Sequence, residues 1–210
     1  MDMEMIRSVA ETKSFEGEKI KGSRFIAWVI PVSGVEAALG EVQRLRDEFP
    51  DATHHCWAWR GGHEDQFRYS DDGEPAGSAG RPILNAMIGR RLVNIVVVVV
   101  RYYGGTKLGT GGLVRAYGGA AAAALEQSQV IEAPLMGGVK VVCAYDKVGG
   151  IQALLKTFEG EELRSEYGLE VTLYLEVPKG TEGAFIGAAR DLCAGQLEVE
   201  EVDVASSGGR

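Results

Sequence analysis

The strongest constraint in this sequence is the run Ile95–Val100, IVVVVV, six consecutive β-branched residues. Branching at Cβ restricts χ1 and favours the pleated conformation, so the run predicts a strand. It does not alternate apolar with polar, which predicts burial on both faces. The segment that follows, RYYGGTKLGTGGLVRAYGG (Arg101–Gly119), holds seven glycines in nineteen residues, together with the cations Arg101, Lys107 and Arg115 and three tyrosines. It leads into an alanine-rich stretch of strong helix formers. Such a join between strand and helix has three uses. It can cradle a phosphate, present a surface to nucleic acid, or bend the chain tightly.

The nucleotide motifs fail at named positions. A P-loop needs Gly before its Lys, and Thr106 precedes Lys107. A dinucleotide fingerprint begun at Gly109 and Gly111 meets Val114 at its third glycine. The strand–glycine–helix context still suits an anion, because helix N-termini attract negative charge. Packing is the competing reading. Gly104 and Gly105 would end the strand where φ turns positive. Gly109, Gly111 and Gly112 would let the loop pass close to other backbone, and Gly118-Gly119 would permit close helix–sheet approach at about 1 kcal/mol each relative to Ala. Packing does not account for the three cations.

The bulk numbers describe an ordinary globular chain of 210 residues with 45% hydrophobic and 25% charged residues. The longest apolar run is too short to span a bilayer. The mixed-charge N-terminus has no apolar signal region. Cys56, Cys143 and Cys193 form no CxxC pair, which fits a reducing, cytoplasmic location. The net charge of −8 argues against a generic nucleic-acid binder. Its distribution is uneven. Residues 60–115 carry eight basic and five acidic side chains, a net of +3, whereas residues 116–210 carry seven and fifteen, a net of −8. A local positive patch on an acidic protein is therefore expected.

Along the chain, residues 23–32 read as a strand, 35–49 as a helix with apolar 3–4 spacing, and 53–59 and 66–70 as strands joined through RGGHED. Residues 81–91 read as a short helix with Pro82 in its first turn, 93–103 as the valine strand and 111–128 as a helix. Pro134 and Gly137-Gly138 mark a break. Beyond it the order βαββαβ is that of a ferredoxin-like domain. The tail SSGGR should fray. The expectation is an α+β protein of two domains, residues 1–131 and 132–210.

Other candidate chemistry clusters at residues 71–80. Asp71, Asp72 and Glu74, with His54, His55 and His63 upstream, supply metal-ligand types but no recognised ligand spacing. The alternative is a turn in which Asp side chains bond local N–H groups. AGSAG approximates a nucleophile elbow with Ala76 at the first glycine, so Ser78 is a candidate nucleophile or a cap for the next helix. Trp57 and Trp59 alternate on one strand face and read as core.

Taken in order, KGSRFIAWVIPV, DATHHCWAWR, SDDGEPAGSAGRPIL and VVVVVRYYGGTKLGTGGLVRAYGGAA resemble the IMPACT/YigZ family over roughly residues 17–127. The second domain resembles that of bacterial members through its βαββαβ pattern. The resemblance implies an N-terminal domain like domain 2 of ribosomal protein S5, a sheet with helices on one side. It implies a ferredoxin-like C-terminal domain similar to domains of elongation factor G. It carries over the motif residues His54, Asp71, Asp72, Gly73, Glu74, Gly80, Arg81, Arg101, Tyr102, Gly104, Gly105, Leu108 and Gly109, with Gly112, Arg115 and Tyr117. Ser78 stands where the family more often has threonine.

The leading expectation is a translation-associated regulator, not an enzyme, that binds RNA, the ribosome or a protein of that machinery. Arg81, Arg101, Lys107 and Arg115 would contact phosphate, with Tyr102, Gly104, Gly105, Gly109 and Gly112 shaping the loop and the DDGE carboxylates anchoring the arginines. The alternative is a hydrolase, peptidase or phosphoesterase, using His54 with Asp71, Asp72, Glu74 and Ser78. In that reading His54 is the acid/base, the Asp71–Glu74 carboxylates bind a metal or orient the histidine, and the glycine loop takes the anion; no cofactor is expected. A third is a protein-interaction module without nucleic acid.

Overall fold

The structure, a computed structural model, describes residues 4–63 and 65–202. In chain order the elements are β1 (Met5–Val9), β2 (Lys13–Glu16), β3 (Arg24–Pro31), α1 (Val35–Glu48), β4 (His54–Arg60), β5 (Phe67–Ser70), α2 (Gly80–Gly89), β6 (Ile95–Tyr102), α3 (Thr110–Gln127) and β7 (Val130–Pro134). They continue as β8 (Met136–Cys143), α4 (Val148–Thr157), β9 (Glu161–Tyr167), β10 (Val171–Pro178), α5 (Glu182–Leu192) and β11 (Leu197–Val202). The backbone divides into two units, Ile6–Ala133 and a second built from Pro134 onward with the start of the chain. Among the described residues, no helix is long and apolar enough to cross a membrane.

The first unit is organised by β6. Its sheet runs β2-β3-β6-β4-β5, with every neighbour antiparallel, so the valine strand is central. Residues of β6 alternate between two cores. Ile95, Val97 and Val99 pack with Ile83, Leu84 and Met87 of α2 and Leu113, Tyr117 and Leu125 of α3. Val96, Val98 and Val100 pack with Val35, Ala38, Val42 and Leu45 of α1, together with Trp57 and Trp59. The family resemblance implied helices on one side only; α1 lies on the face opposite α2 and α3. The valine run demands this, since three valines left facing water would each forfeit about 1.5 kcal/mol or more of burial free energy.

The short strands β1, β2 and β7 carry mixed or polar sequence and so escaped the periodicity reading. β1 pairs with β7 in a two-stranded sheet at the stretch read as a break. Gly137 and Gly138 lie within β8 rather than in a loop. A Cβ on Gly137 would stand 1.9 Å from Glu182 Oε1, so that glycine admits the side chain at the start of α5.

The second unit has the element order βαββαβ and the sheet order β11-β8-β10-β9, with all neighbours antiparallel, the ferredoxin-like arrangement. One sheet face buries Val139, Val141, Leu173, Leu175 and Val177 against Ile151 and Leu155 of α4 and Phe185 and Ala189 of α5. The other face carries polar residues, among them Lys140 paired with Glu200 and Arg164 stacked 3.7 Å from the Tyr174 ring centroid. Residues 203–205 of the expected last strand, the SSGGR tail and Glu64 of the RGGHED turn lie outside the described residues.

Glycine has a specific packing duty at one crossing. A Cβ on Gly104 would lie 1.9 Å from the carbonyl carbon of Gly22, so the two backbones touch. The other loop and helix glycines do not make the close backbone approaches expected of them. Gly112 would meet only the Leu108 side chain, and Gly118 the Pro82 residue of α2 rather than the sheet. Gly119 faces open space. Gly104→Ala should therefore destabilise the first unit by about 2–4 kcal/mol. Gly119→Ala, in mid-helix, should stabilise it by up to about 1 kcal/mol. Urea unfolding of the two variants checks the contrast.

Glu176 sits on β10 directly across from Glu161 and is only 9% exposed. Burial pushes its carboxyl up to about 7, and the Glu161 charge adds to the rise. The folded chain therefore holds a proton that the unfolded chain releases near 4.5, and stability falls as pH rises from about 4.5 to 7. Glu176→Gln should remove that slope and stabilise the protein above pH 7 by about 1–2 kcal/mol, a value reduced for solvent reaching part of the group. Unfolding midpoints at pH 5 and pH 8 measure it; an unchanged pH slope refutes the assignment.

Candidate functional site

The motif residues converge at one end of the central strand. β4 and β6 pair with His54 opposite Arg101, which brings the DDGE turn, Arg101 and the glycine loop together. The turn closes with a 2.9 Å bond from the Glu74 N–H to the Asp71 carbonyl. Its central residues, Asp72 and Gly73, have φ of 44° and 86°. Asp and Gly are the residue types that tolerate this geometry at least cost. The reversal points the three carboxylates in three directions.

Asp71 serves as the cap of α2. Its Oδ1 accepts from the N–H groups of Ala79 (2.9 Å) and Gly80 (2.8 Å), and its Oδ2 from Gly77 (2.8 Å). A carboxylate there satisfies otherwise unpaired donors and suits the positive end of the helix. Ser78, expected as cap or nucleophile, does neither. It is 2% exposed and its hydroxyl donates to the Pro75 carbonyl at 2.6 Å. Asp72 accepts from the His55 N–H at 2.6 Å and from Arg46 Nη2 at 2.7 Å.

Glu74 turns inward. Its Oε1 accepts from Arg101 Nη1 and from the Tyr117 hydroxyl at 2.7 Å. Both side chains of the Glu74–Arg101 pair are 5% exposed. Arg101 Nη2 also donates to Ser23 Oγ at 3.3 Å, and its guanidinium lies over the Phe25 and Tyr103 rings. Ser23 Oγ accepts the Gly104 N–H as well, at 3.1 Å, tying the loop to the start of β3. Burial raises the Tyr117 hydroxyl well above the phenol range and pushes the Cys56 thiol up to about 12, so both stay protonated. Tyr117 is thus a permanent donor to Glu74.

His54 is oriented by its neighbours. Nδ1 donates to the Asp72 carbonyl at 2.8 Å, which fixes the proton on that nitrogen and leaves Nε2 3.7 Å from Glu74 Oε1. Asp71, Asp72 and Ser78 offer His54 no free side-chain oxygen. Among the described residues, no three His, Cys, Asp or Glu side chains are grouped to hold a metal ion.

The expected phosphate-contacting cations do not stay together. Arg101 is 4% exposed and paired inward, so it presents no charge to a surface ligand. Tyr102 donates its hydroxyl to Asp51 at 3.0 Å. Lys107 and Arg115 are exposed and have no ion-pair partner among the described residues. Arg81 is exposed, with its guanidinium 5.9 Å from the Tyr69 ring centroid. Helix α3 begins at Gly109 (φ 72°) without a side-chain cap, and Arg115 folds back so that Nη1 lies 3.7 Å from where a Gly111 Cβ would be. That guanidinium therefore stands beside the free N–H groups of the first turn. The sequence reading missed Ser23, Arg46 and Cys56. Ser23 was read only as the first residue of a strand over 23–32, whereas β3 begins at Arg24 and leaves the serine just outside it; Arg46 had no signal beyond a polar position on α1.

Comparison with known proteins follows the same division. A family model described as the Impact N-terminal domain matches residues 21–125, and a domain of unknown function, DUF1949, matches residues 141–196. The chain is 42% identical over 189 residues to the IMPACT family member YigZ of Escherichia coli (strain K12), covering 89% of this chain and 93% of that protein. It is 43% identical over 185 residues to an "IMPACT family member in pol 5'region" of Thermus thermophilus, covering 86% and 99%. A crystal structure of a protein described only as hypothetical is similar with a TM-score of 0.70 at 40% identity, covering 96% of this chain and 99% of that one.

Removing one partner of a buried ion pair strands the other. Glu74→Ala should cost about 3–5 kcal/mol, and the double variant Glu74→Leu, Arg101→Met should recover most of it. Urea unfolding of the three proteins tests this; a loss below about 1 kcal/mol in Glu74→Ala would show that the pair does not hold the site.

Proposed function

Because this chain belongs to the IMPACT family, with an Impact N-terminal domain followed by DUF1949, we propose that it is a translation-associated regulator that binds RNA phosphate, free or on the ribosome. The supporting observation is the uncapped start of α3, where Lys107 and Arg115 are exposed and unpaired among the described residues. Backbone N–H groups at a helix start and two flexible cations are phosphate-binding chemistry. Gly111 and Gly112 add no side chains of their own there, and the Arg115 guanidinium lies beside Gly111. Arg81 is a third outward cation of the same unit. Arg101 acts through Glu74 and Ser23, as a positioning residue for the loop rather than a phosphate contact.

The acidic second unit opposes this. Residues 134–202 carry six basic and twelve acidic side chains. Repulsion of that kind is long-ranged and is screened over about 8 Å at physiological ionic strength. Direct phosphate contacts at α3 are short-ranged, so affinity would be modest and strongly salt-dependent. A cytoplasmic location goes with this reading. The hydrolase reading has less support, because the Ser78 hydroxyl and the Asp71 and Asp72 carboxylates are committed to other partners.

Co-sedimentation with purified ribosomes across a salt series tests the proposal. Wild type should bind at low salt, and Lys107→Ala with Arg115→Ala should weaken binding and flatten the log–log salt slope by about 1.4 for single-stranded contacts. Absence of wild-type association at low salt refutes it.

A further inference from the structure

A second surface of the first unit is separate from the α3 start. β5 is an edge strand, hydrogen-bonded to β4 on one side only. The phase of that pairing is set by the 2.7 Å bond from the Gly61 N–H to the Gln66 carbonyl. Bonded and non-bonded pairs alternate along an antiparallel ladder. With Arg60 opposite Phe67 and Ala58 opposite Tyr69, the backbone groups of Phe67 and Tyr69 point away from β4. The Phe67 N–H is used locally by the Asp65 carbonyl. The Tyr69 N–H and carbonyl and the Phe67 carbonyl are free edge groups among the described residues.

The same two residues turn their side chains toward α2, because Ala58 opposite Tyr69 belongs to the core beneath that helix. There Arg60, Phe67, Arg81, Leu84 and Ile88 line a shallow groove of about 270 Å³. Leu84 forms its buried floor, while Phe67 (41% exposed) and Ile88 (45%) are open to solvent, as is the adjoining Tyr69 (41%). Its charged rim is cationic. Arg60 donates to the Leu92 carbonyl, Arg81 lies over Tyr69, and neither has a carboxylate partner among the described residues. Arg68, on the opposite face of β5, is likewise without one.

We propose that β5 and this groove take an extended segment of a partner protein, added as a sixth strand and carrying acidic residues that alternate with apolar ones. A free backbone edge flanking a side-chain pocket is the geometry of strand addition, in which main-chain bonds supply affinity and alternate side chains supply specificity. An incoming strand beside Tyr69 would place every second side chain over Phe67, Tyr69 and Ile88. Charge complementarity decides the rest of its composition: the apolar side chains occupy the groove face, so the alternating carboxylates fall on the opposite face and meet Arg68. The occupant is a polypeptide, because free backbone donors and acceptors in a row match another backbone and not a nucleobase.

The intact protein can be panned against displayed eight-residue peptides, and the enriched sequences synthesised. Enrichment of acidic–apolar alternation is expected. Tyr69→Pro removes the outward N–H at an edge position that tolerates proline. It should weaken those peptides at least tenfold relative to Tyr69→Ala, which removes only the ring. Should Tyr69→Pro not fold, Arg68→Glu should weaken the same peptides at least fivefold. In wild type, saturating peptide should slow exchange of the Tyr69 amide hydrogen at least tenfold. The proposal is overturned by peptides that do not alternate, by equal binding to the Pro and Ala variants, by an unprotected Tyr69 amide, or by oligouridine rather than peptide shifting the Tyr69 and Ile88 resonances.

Discussion

The buried contact between Glu74 and Arg101 is the constraint on which the rest of the first unit's functional end depends. Two opposite charges, each almost fully removed from water, cost several kcal/mol of desolvation per ion before any attraction is counted. Further hydrogen bonds offset part of that cost, although Arg101 Nε is buried without a partner among the described residues. Tyr117 donates from α3, and Ser23 accepts from Arg101 at the start of β3. Four separate stretches of chain meet at this one point: the DDGE turn, the end of β6, the middle of α3 and the lead-in to β3. A buried ion pair adds little net stability, yet it penalises arrangements that leave either charge alone. Its role here is to specify one register among those stretches. The glycine loop is bound into the same arrangement, because Ser23 also holds the Gly104 N–H and Gly104 itself touches Gly22.

Much of this architecture was legible in the residues. Six consecutive β-branched side chains could only be a central strand, and burial of both its faces is why three helices divide between two sides of one sheet. The first helices and the second unit followed from apolar spacing alone. Three strands did not, because β1, β2 and β7 are short and lie at margins where one face or one edge meets water. Such segments have no apolar period to detect. The glycines misled in a similar way. Seven in nineteen residues implied general close packing, but only Gly104 lies so close to another backbone that a Cβ could not fit. The need arises from a contact with Gly22, more than eighty positions earlier, which no local pattern encodes.

The motif residues were visible as a set, but their roles were not. Asp71, Asp72 and Glu74 are near neighbours in sequence and equivalent in chemistry, yet one caps a helix, one binds Arg46 and a strand N–H, and one is buried with Arg101. The turn decides this. Positive φ at Asp72 and Gly73 sends consecutive side chains in divergent directions, so identity and spacing alone assign no partner. Ser23 was hidden for a related reason: an isolated serine before a strand becomes informative only once β3 and β6 are aligned.

That sorting also changes how the charge of residues 60–115 is read. Counted along the sequence, eight cations and five anions make a modest excess. In the folded unit, three of those anions are drawn inward: Asp71 onto α2 backbone amides, Asp72 onto Arg46 from outside the segment, and Glu74 onto Arg101. Only Arg101 among the cations is withdrawn with them. The outward population is therefore more one-sided than the count, with Arg60, Arg68 and Arg81 around β5 and α2 and Lys107 and Arg115 at the start of α3. A negatively charged partner meets the exposed members of a set, not its sum. An overall charge of −8 is thus compatible with two cationic surfaces on one unit, because the inward-facing DDGE turn takes up anions that would otherwise neutralise them.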